Sequence, residues 1–131
     1  MATARYGVVI GDDTDAMRSR IRTLLEAMPG VGQVGEAADA PGTIELIQSM
    51  RPTLVILDVV MPGGGGLAVL RWLRQAGIRC TTIVLTNYVV PTYRLRCERA
   101  GAQFFFDKAY DMDEFLSTVR LLTSSPIREG I

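Results

Sequence analysis

Four short apolar runs, each delivered onto a polar residue, constrain this chain more than any other feature. Val8-Val9-Ile10-Gly11 leads to Asp12-Asp13, Leu54-Val55-Ile56-Leu57 to Asp58, Thr82-Ile83-Val84-Leu85 to Thr86, and Phe104-Phe105-Phe106-Asp107 to Lys108. Runs this short, continuous rather than alternating, and separated by helix-like stretches read as parallel strands buried on both faces. In an open parallel sheet the carboxyl ends of the strands share one edge, and ligands bind outside that edge. Three acids, a hydroxyl and an ammonium are therefore expected to converge in one crevice.

The intervening stretches carry helical spacing. Met17, Ile21, Leu24, Leu25 and Met28 predict a helix over about 15–28, with Asp13, Thr14 or Asp15 as N-cap and Pro29-Gly30 as its stop. A weak strand over Gln33 to Ala37 follows, then a helix opened by Asp39 and Pro41 that turns Ile44, Ile47 and Met50 inward and stops before Pro52. The next strand, Thr53 to Leu57, delivers Asp58. Glycine has the most backbone entropy to lose, so Pro62-Gly63-Gly64-Gly65-Gly66 predicts a mobile loop from Val59 to Gly66. Helices are expected from Leu67 to Ala76, closed by Gly77, from Pro91 to Gly101, and along Phe115, Leu116, Val119 and Leu122. The alternation predicts a doubly wound α/β domain of about five parallel strands with helices on both faces. It occupies 1–124, with a short tail over 125–131.

Composition narrows the chemistry. A chain of 131 residues builds one domain, and 14 basic against 14 acidic residues leave no net charge to draw it to nucleic acid or a membrane surface. With no stretch of transmembrane length and no signal-peptide h-region, a cytoplasmic location is expected. There is no histidine, which removes Ser-His and Cys-His nucleophile pairs and the usual zinc sites. Cys80 and Cys97 have neither metal-type nor redox-type spacing and read as two free thiols. Lys108 is the single lysine among 13 arginines, so one point ammonium stands at a strand end; a base-composition bias explains the same count.

Each candidate site residue has a bland explanation when taken alone: Asp12 and Asp13 as helix-capping acids, Asp58 as a turn residue, Thr86 as a strand-end hydroxyl, Lys108 as a solvated charge. Separate bland explanations do not place all five at strand carboxyl ends of one sheet. Three close carboxylates repel by on the order of several kcal/mol per pair at an effective dielectric near 20, so a cation must offset them. Oxygen-only ligands with open positions suit Mg²⁺. A neutral phosphate cradle is disfavoured, because Asp12-Asp13 stands where its hydroxyl-rich loop would be. With the metal in place a carboxylate can attack a phosphoryl group, Mg²⁺ and Lys108 can neutralise the equatorial oxygens, and Thr86 can donate a hydrogen bond. The chemistry is phosphoryl transfer onto an aspartate.

Asp12-Asp13 followed by Met17-Arg18, Asp58 followed by Met61-Pro62 and Gly66, then Thr86, Gly101-Ala102, Phe105 and Lys108 resemble, in this order, the receiver domain of bacterial two-component response regulators. The likeness covers nearly the whole chain. It implies a flavodoxin-like sheet in strand order 2-1-3-4-5 and a signalling protein that catalyses only its own phosphotransfer and dephosphorylation. It implies Asp58 as the phosphoacceptor, Mg²⁺ held by Asp12, Asp13, Asp58 and the backbone carbonyl of Val60, Lys108 paired with the acyl phosphate, and a switch formed by Thr86 with Phe105. The phosphodonor would be a separate histidine kinase or phosphotransfer protein, docking near the glycine-rich loop and the first helix. Arginine would serve poorly at 108, where a compact ammonium is needed.

Departures from the family pattern carry their own expectations. Ala109 stands where many relatives have a proline, and Asn87 is bulkier than the usual residue after the switch hydroxyl and restricts access to Asp58. Val60 and Tyr88 offer no amide or carboxylate to orient water against the acyl phosphate, which predicts a long-lived phosphorylated state. Arg94, Arg96 and Arg99 with Asp107, Asp111 and Asp113 form a candidate homodimer face of helix 4, strand 5 and helix 5, although such charges more often lie on solvated surfaces. No room follows the last helix for a DNA-binding domain, so the chain is expected to act by protein contact or to be the receiver portion of a longer protein. The rival readings are a small Mg²⁺-dependent phosphohydrolase of haloacid-dehalogenase type using Asp13 with Asp15, and a pseudo-receiver that binds partners without phosphorylation.

Overall fold

Strand and helix alternate from end to end. The structure, a computed structural model, describes residues 5–124. Its elements are β1 (Tyr6–Gly11), α1 (Asp15–Glu26), β2 (Val31–Ala37), α2 (Ala40–Met50), β3 (Leu54–Leu57), α3 (Gly65–Ala76), β4 (Thr81–Thr86), α4 (Pro91–Arg99), β5 (Phe104–Asp107) and α5 (Met112–Leu122). The five strands form one parallel sheet in the order β2-β1-β3-β4-β5, the expected flavodoxin-like topology. The tail expected at 125–131 lies outside the described residues.

Strand parity splits the core in two. Val9, Val55, Leu57 and Val84 face α2, α3 and α4 through Ile47, Leu70, Leu73 and Cys97. Val8, Ile10, Leu54, Ile56, Ile83 and Leu85 face α1 and α5 through Ile21, Leu25, Phe115 and Val119. Both faces being covered explains why these strands are apolar runs rather than alternating ones. Among the described residues no helix is long and apolar enough to cross a membrane.

Several boundaries differ from the sequence reading. Helix α1 ends at Glu26, not 28; Met28 is still buried because the turn after the helix folds it under the core. Strand β2 starts at Val31, two residues early, since Val31 and Val34 are both buried and Val31 pairs with Tyr6. Strand β3 begins at Leu54 and α4 closes at Arg99.

The glycine run is the main correction. It is not an open loop over Val59 to Gly66: α3 begins at Gly65, and Val59, Met61, Gly65 and Gly66 are buried. A Cβ on Gly65 would lie 1.9 Å from the Val59 carbonyl oxygen, and one on Gly66 2.7 Å from that of Asp58. These glycines let the start of α3 pack directly on the backbone that carries Asp58, a close approach that any side chain would block. Pro62 contributes as well, accepting a hydrogen bond from Ala40 N at the start of α2 (2.9 Å).

Register brings the strand ends together. Gly11 pairs with Leu57, and the Asp58 amide donates to the Gly11 carbonyl at 2.9 Å, so Asp12 and Asp58 emerge side by side. Thr86 pairs with Asp107, and the Lys108 amide donates to the Thr86 carbonyl at 2.9 Å.

Candidate functional site

The crevice lies where strand order reverses between β1 and β3, at the carboxyl edge of the sheet. Asp12 is 2% exposed and Asp58 6%, whereas Asp13 is open to solvent. One carboxylate oxygen from each of the three lies within 4.8 Å of the others. Lys108 bridges the buried pair and offsets one of its two charges, its Nζ standing 2.6 Å from Asp12 Oδ2 and 2.6 Å from Asp58 Oδ2. Burial works against the Lys108 charge, but hydrogen bonds to Asp12 and Asp58 and their fields outweigh it and raise its pKa above the ordinary 10.5.

The second oxygen of Asp58 is held separately. Thr86 Oγ1 donates to Asp58 Oδ1 at 2.7 Å, and the Val60 amide donates to the same oxygen at 3.0 Å. The Asp58 carboxylate is thus gripped on one oxygen by an ammonium and on the other by a hydroxyl and a backbone N–H. Such charge-assisted bonds fix its orientation. Asp12 is anchored likewise, its Oδ1 accepting from the Thr14 amide at 2.9 Å.

Residues 8–120 match the family described as the response regulator receiver domain. The chain belongs to the response regulator receiver family. It is 33% identical over 115 residues to the nitrate/nitrite response regulator protein NarP of Escherichia coli, covering 88% of this chain and 54% of that protein. To response regulator GacA of Pseudomonas aeruginosa it is 29% identical over 113 residues, covering 86% and 53% respectively. The chain spans about half the length of these relatives. The signal receiver domain of NarL from Mycobacterium tuberculosis superposes with a TM-score of 0.84 at 26% identity, over 93% of this chain and 98% of that one.

Within this receiver, the sequence-predicted residues divide into two groups. Asp12, Asp13, Asp58, Thr86 and Lys108 converge as described, with Val60 beside them. Phe105 is half-buried in β5, paired with Val84 and so two residues back from the Thr86–Asp107 pair. Its ring packs on the side of α3 and α4, with the Arg94 guanidinium 5.3 Å from its centre. A cavity of about 580 Å³ opens beside the acids, bounded by Asp13, Val60, Met61, Pro62, Tyr88 and Tyr93. Asn87 is exposed.

The position after the lysine has a local explanation. The Ala109 amide donates to Asp107 Oδ1 at 2.7 Å, and the Asp107 amide donates to Asp111 Oδ2 at 2.9 Å. A proline at 109 would have no N–H for this turn. Two contacts were not found by sequence reasoning. The Tyr88 amide donates to Thr86 Oγ1 at 3.0 Å, tying that hydroxyl to the next loop, where Tyr88 packs edge-on against Tyr93 of α4 at 5.4 Å. The other is Arg18, which reaches from α1 to the Asp12 carbonyl; its place one turn after Thr14 is a signal that helical spacing carries.

Proposed function

We propose that this receiver is controlled by phosphorylation of Asp58. The observation that carries the reading is the grip on that carboxylate: Lys108 Nζ on Oδ2 at 2.6 Å and Thr86 Oγ1 on Oδ1 at 2.7 Å, with Asp12 and Asp13 beside it. An all-oxygen donor set of three carboxylates with one open side fits Mg²⁺, held by Asp12, Asp13, Asp58 and the Val60 carbonyl. Bound there, the ion would supply positive charge to the phosphoryl oxygens.

The phosphodonor is a separate histidine kinase or phosphotransfer protein, because the chain has no histidine. As the O–P bond to Asp58 forms, the P–N bond to the donor imidazole breaks and the nitrogen keeps the electron pair. Lys108 is placed to neutralise a phosphoryl oxygen and Thr86 to donate a hydrogen bond to another. Thr86 carries the change outward through its bond to the Tyr88 amide and the Tyr88–Tyr93 contact with α4, with Phe105 as the aromatic member of the switch.

We place the protein in the cytoplasm, with protein contact or dimerisation as the output. For a homodimer through α4, β5 and α5, exposed Arg96, Arg99 and Asp113 have no ion-pair partner among the described residues. Arg94 is committed to Glu98 and the Phe105 ring, and Asp107 and Asp111 to their own turn.

Intact-mass spectrometry after incubation with Mg²⁺ and acetyl phosphate tests the reading beside Asp58→Ala. The expected result is a single phosphoryl adduct that needs Mg²⁺ and is lost in the variant. No adduct would favour a pseudo-receiver. An adduct that persists in Asp58→Ala and maps to Asp13 would favour the phosphohydrolase.

A further inference from the structure

Asp13 has none of the anchors that hold its neighbour. It is exposed, and no hydrogen bond or ion pair to its carboxylate is formed among the described residues. What holds it in place is the peptide unit it shares with Asp12. That unit continues a firmly fixed strand end: the Asp12 amide donates to the Ala37 carbonyl of β2 at 3.0 Å. Its own carbonyl oxygen accepts from Arg18 Nη1 at 2.5 Å.

Arg18 is itself held on three sides. Its Nε donates to Glu36 Oε1 at 3.2 Å and its Nη2 to Asp15 Oδ1 at 2.6 Å, so each of its three nitrogens donates. The Arg18 side chain is 14% exposed and that of Glu36 21%. Glu36 also takes Arg22 Nη1 at 2.6 Å, and Arg22 in turn pairs with Glu26 at 3.4 Å. The network joins β2, α1 and the acidic loop, and its side chains reach that loop at the Asp12 carbonyl oxygen.

We infer that Arg18 is a positioning residue for the acidic site: by fixing the Asp12–Asp13 peptide plane it sets where the exposed Asp13 carboxylate stands relative to Asp12 and Asp58. This rests on the Mg²⁺ site proposed above. Arginine suits the task because one rigid guanidinium can serve a carbonyl and two carboxylates at once, which a lysine ammonium on a flexible stem cannot do in the same geometry. Groups that orient metal ligands from outside typically govern about 10- to 100-fold in metal affinity.

The sign of the effect separates positioning from bare electrostatics. Arg18 is a cation near three carboxylates, so removing its charge would by Coulomb's law alone tighten Mg²⁺ binding. Positioning demands the opposite. Calorimetric titration of the whole chain with Mg²⁺, without any phosphodonor, reads this directly for wild type, Arg18→Ala, Arg18→Lys and Arg22→Ala. Arg22→Ala removes a similar charge from the same network without touching the Asp12 carbonyl.

The expected result is affinity weakened about tenfold or more in Arg18→Ala, weakened in Arg18→Lys as well, and unchanged within about twofold in Arg22→Ala. Arg18→Lys keeps the charge and the aliphatic stem and serves as the test if the alanine variant fails to fold. Unchanged or tighter binding in the folded Arg18 variants overturns the positioning role while leaving the Mg²⁺ site intact. Equal weakening in Arg22→Ala overturns it too, in favour of a general effect of the network. A wild type that takes up no Mg²⁺ overturns the metal site itself, and with it the role assigned to Arg18.

Discussion

Lys108 Nζ and Asp58 Oδ2 lie 2.6 Å apart, although 50 residues separate them in sequence, and the same ammonium reaches Asp12 Oδ2 at 2.6 Å. One cation therefore bridges two buried carboxylates and offsets one of their two charges. Replacing Lys108 with Met leaves those acids facing one another in a poorly solvated crevice. The cost is expected to be about 3 kcal/mol by urea denaturation in metal-free buffer. Because the ammonium also competes with Mg²⁺ for the same oxygens, Lys108→Met should bind Mg²⁺ more tightly and regain stability as Mg²⁺ is added.

The pH dependence of that contribution follows from the raised Lys108 pKa. A lysine held above its ordinary value of 10.5 stabilises the fold fully below 10.5, and the contribution falls as pH rises through the folded value. The stability difference between wild type and Lys108→Met should stay flat from neutral pH to about pH 10 and shrink above it. A difference that shrinks between pH 7 and 9 would contradict the assignment.

Gly65 and Gly77 have nearly the same backbone, φ +69 and +68, in different surroundings. A Cβ at Gly77 meets nothing within 4 Å, while one at Gly65 strikes the Val59 carbonyl. Gly77→Ala should cost about 1 kcal/mol, the price of a left-handed alanine. Gly65→Ala should cost several times more by the same denaturation measurement, because α3 must move off the loop that follows Asp58.

Val60 is 54% exposed and Tyr88 43%, and both line the cavity beside the acids. Neither offers an amide or carboxylate to orient water, so the acyl phosphate is expected to persist for minutes or longer. Val60→Glu should shorten it, by up to about 10²-fold if the carboxylate acts as a general base. Decay of the labelled wild type within seconds would exclude this reading.

Burial pushes both thiols up to about 11, from an ordinary 9.0, with Glu98 adding to the shift at Cys97. The thiolate is the reacting form, so alkylation at pH 8 should be about 100-fold slower than for an unperturbed thiol. Half-buried Cys80 should react before fully buried Cys97, as peptide mapping after iodoacetamide treatment would show.

Much of this architecture was legible in the chain. Continuous runs such as Leu54 to Leu57 announced strands covered on both faces, and Met17, Ile21, Leu24 and Leu25 announced a helix. Helix ends were read less well. Met28 kept the helical period because it remains in the core, yet a turn, not α1, carries it there. The glycine run misled in a more instructive way. Composition records freedom in the unfolded chain, and it cannot distinguish a glycine that leaves a loop free from one needed so that backbone can touch backbone, as Gly65 does against Val59.

The sequence by itself determined which residues end strands, and the order of those strands along the chain. That suffices for the family and for the gathering of Asp12, Asp58, Thr86 and Lys108 at one edge, because parallel strands must point their carboxyl ends the same way. Tertiary structure alone decided which atoms meet. Lys108 bridges Asp12 and Asp58, Thr86 faces Asp58 with its back to the Tyr88 amide, and Arg18 holds the Asp12 carbonyl. These contacts depend on register, rotamer and distance at the scale of an ångström. A linear pattern carries residue type and spacing, whereas a hydrogen bond is made or lost within a few tenths of an ångström.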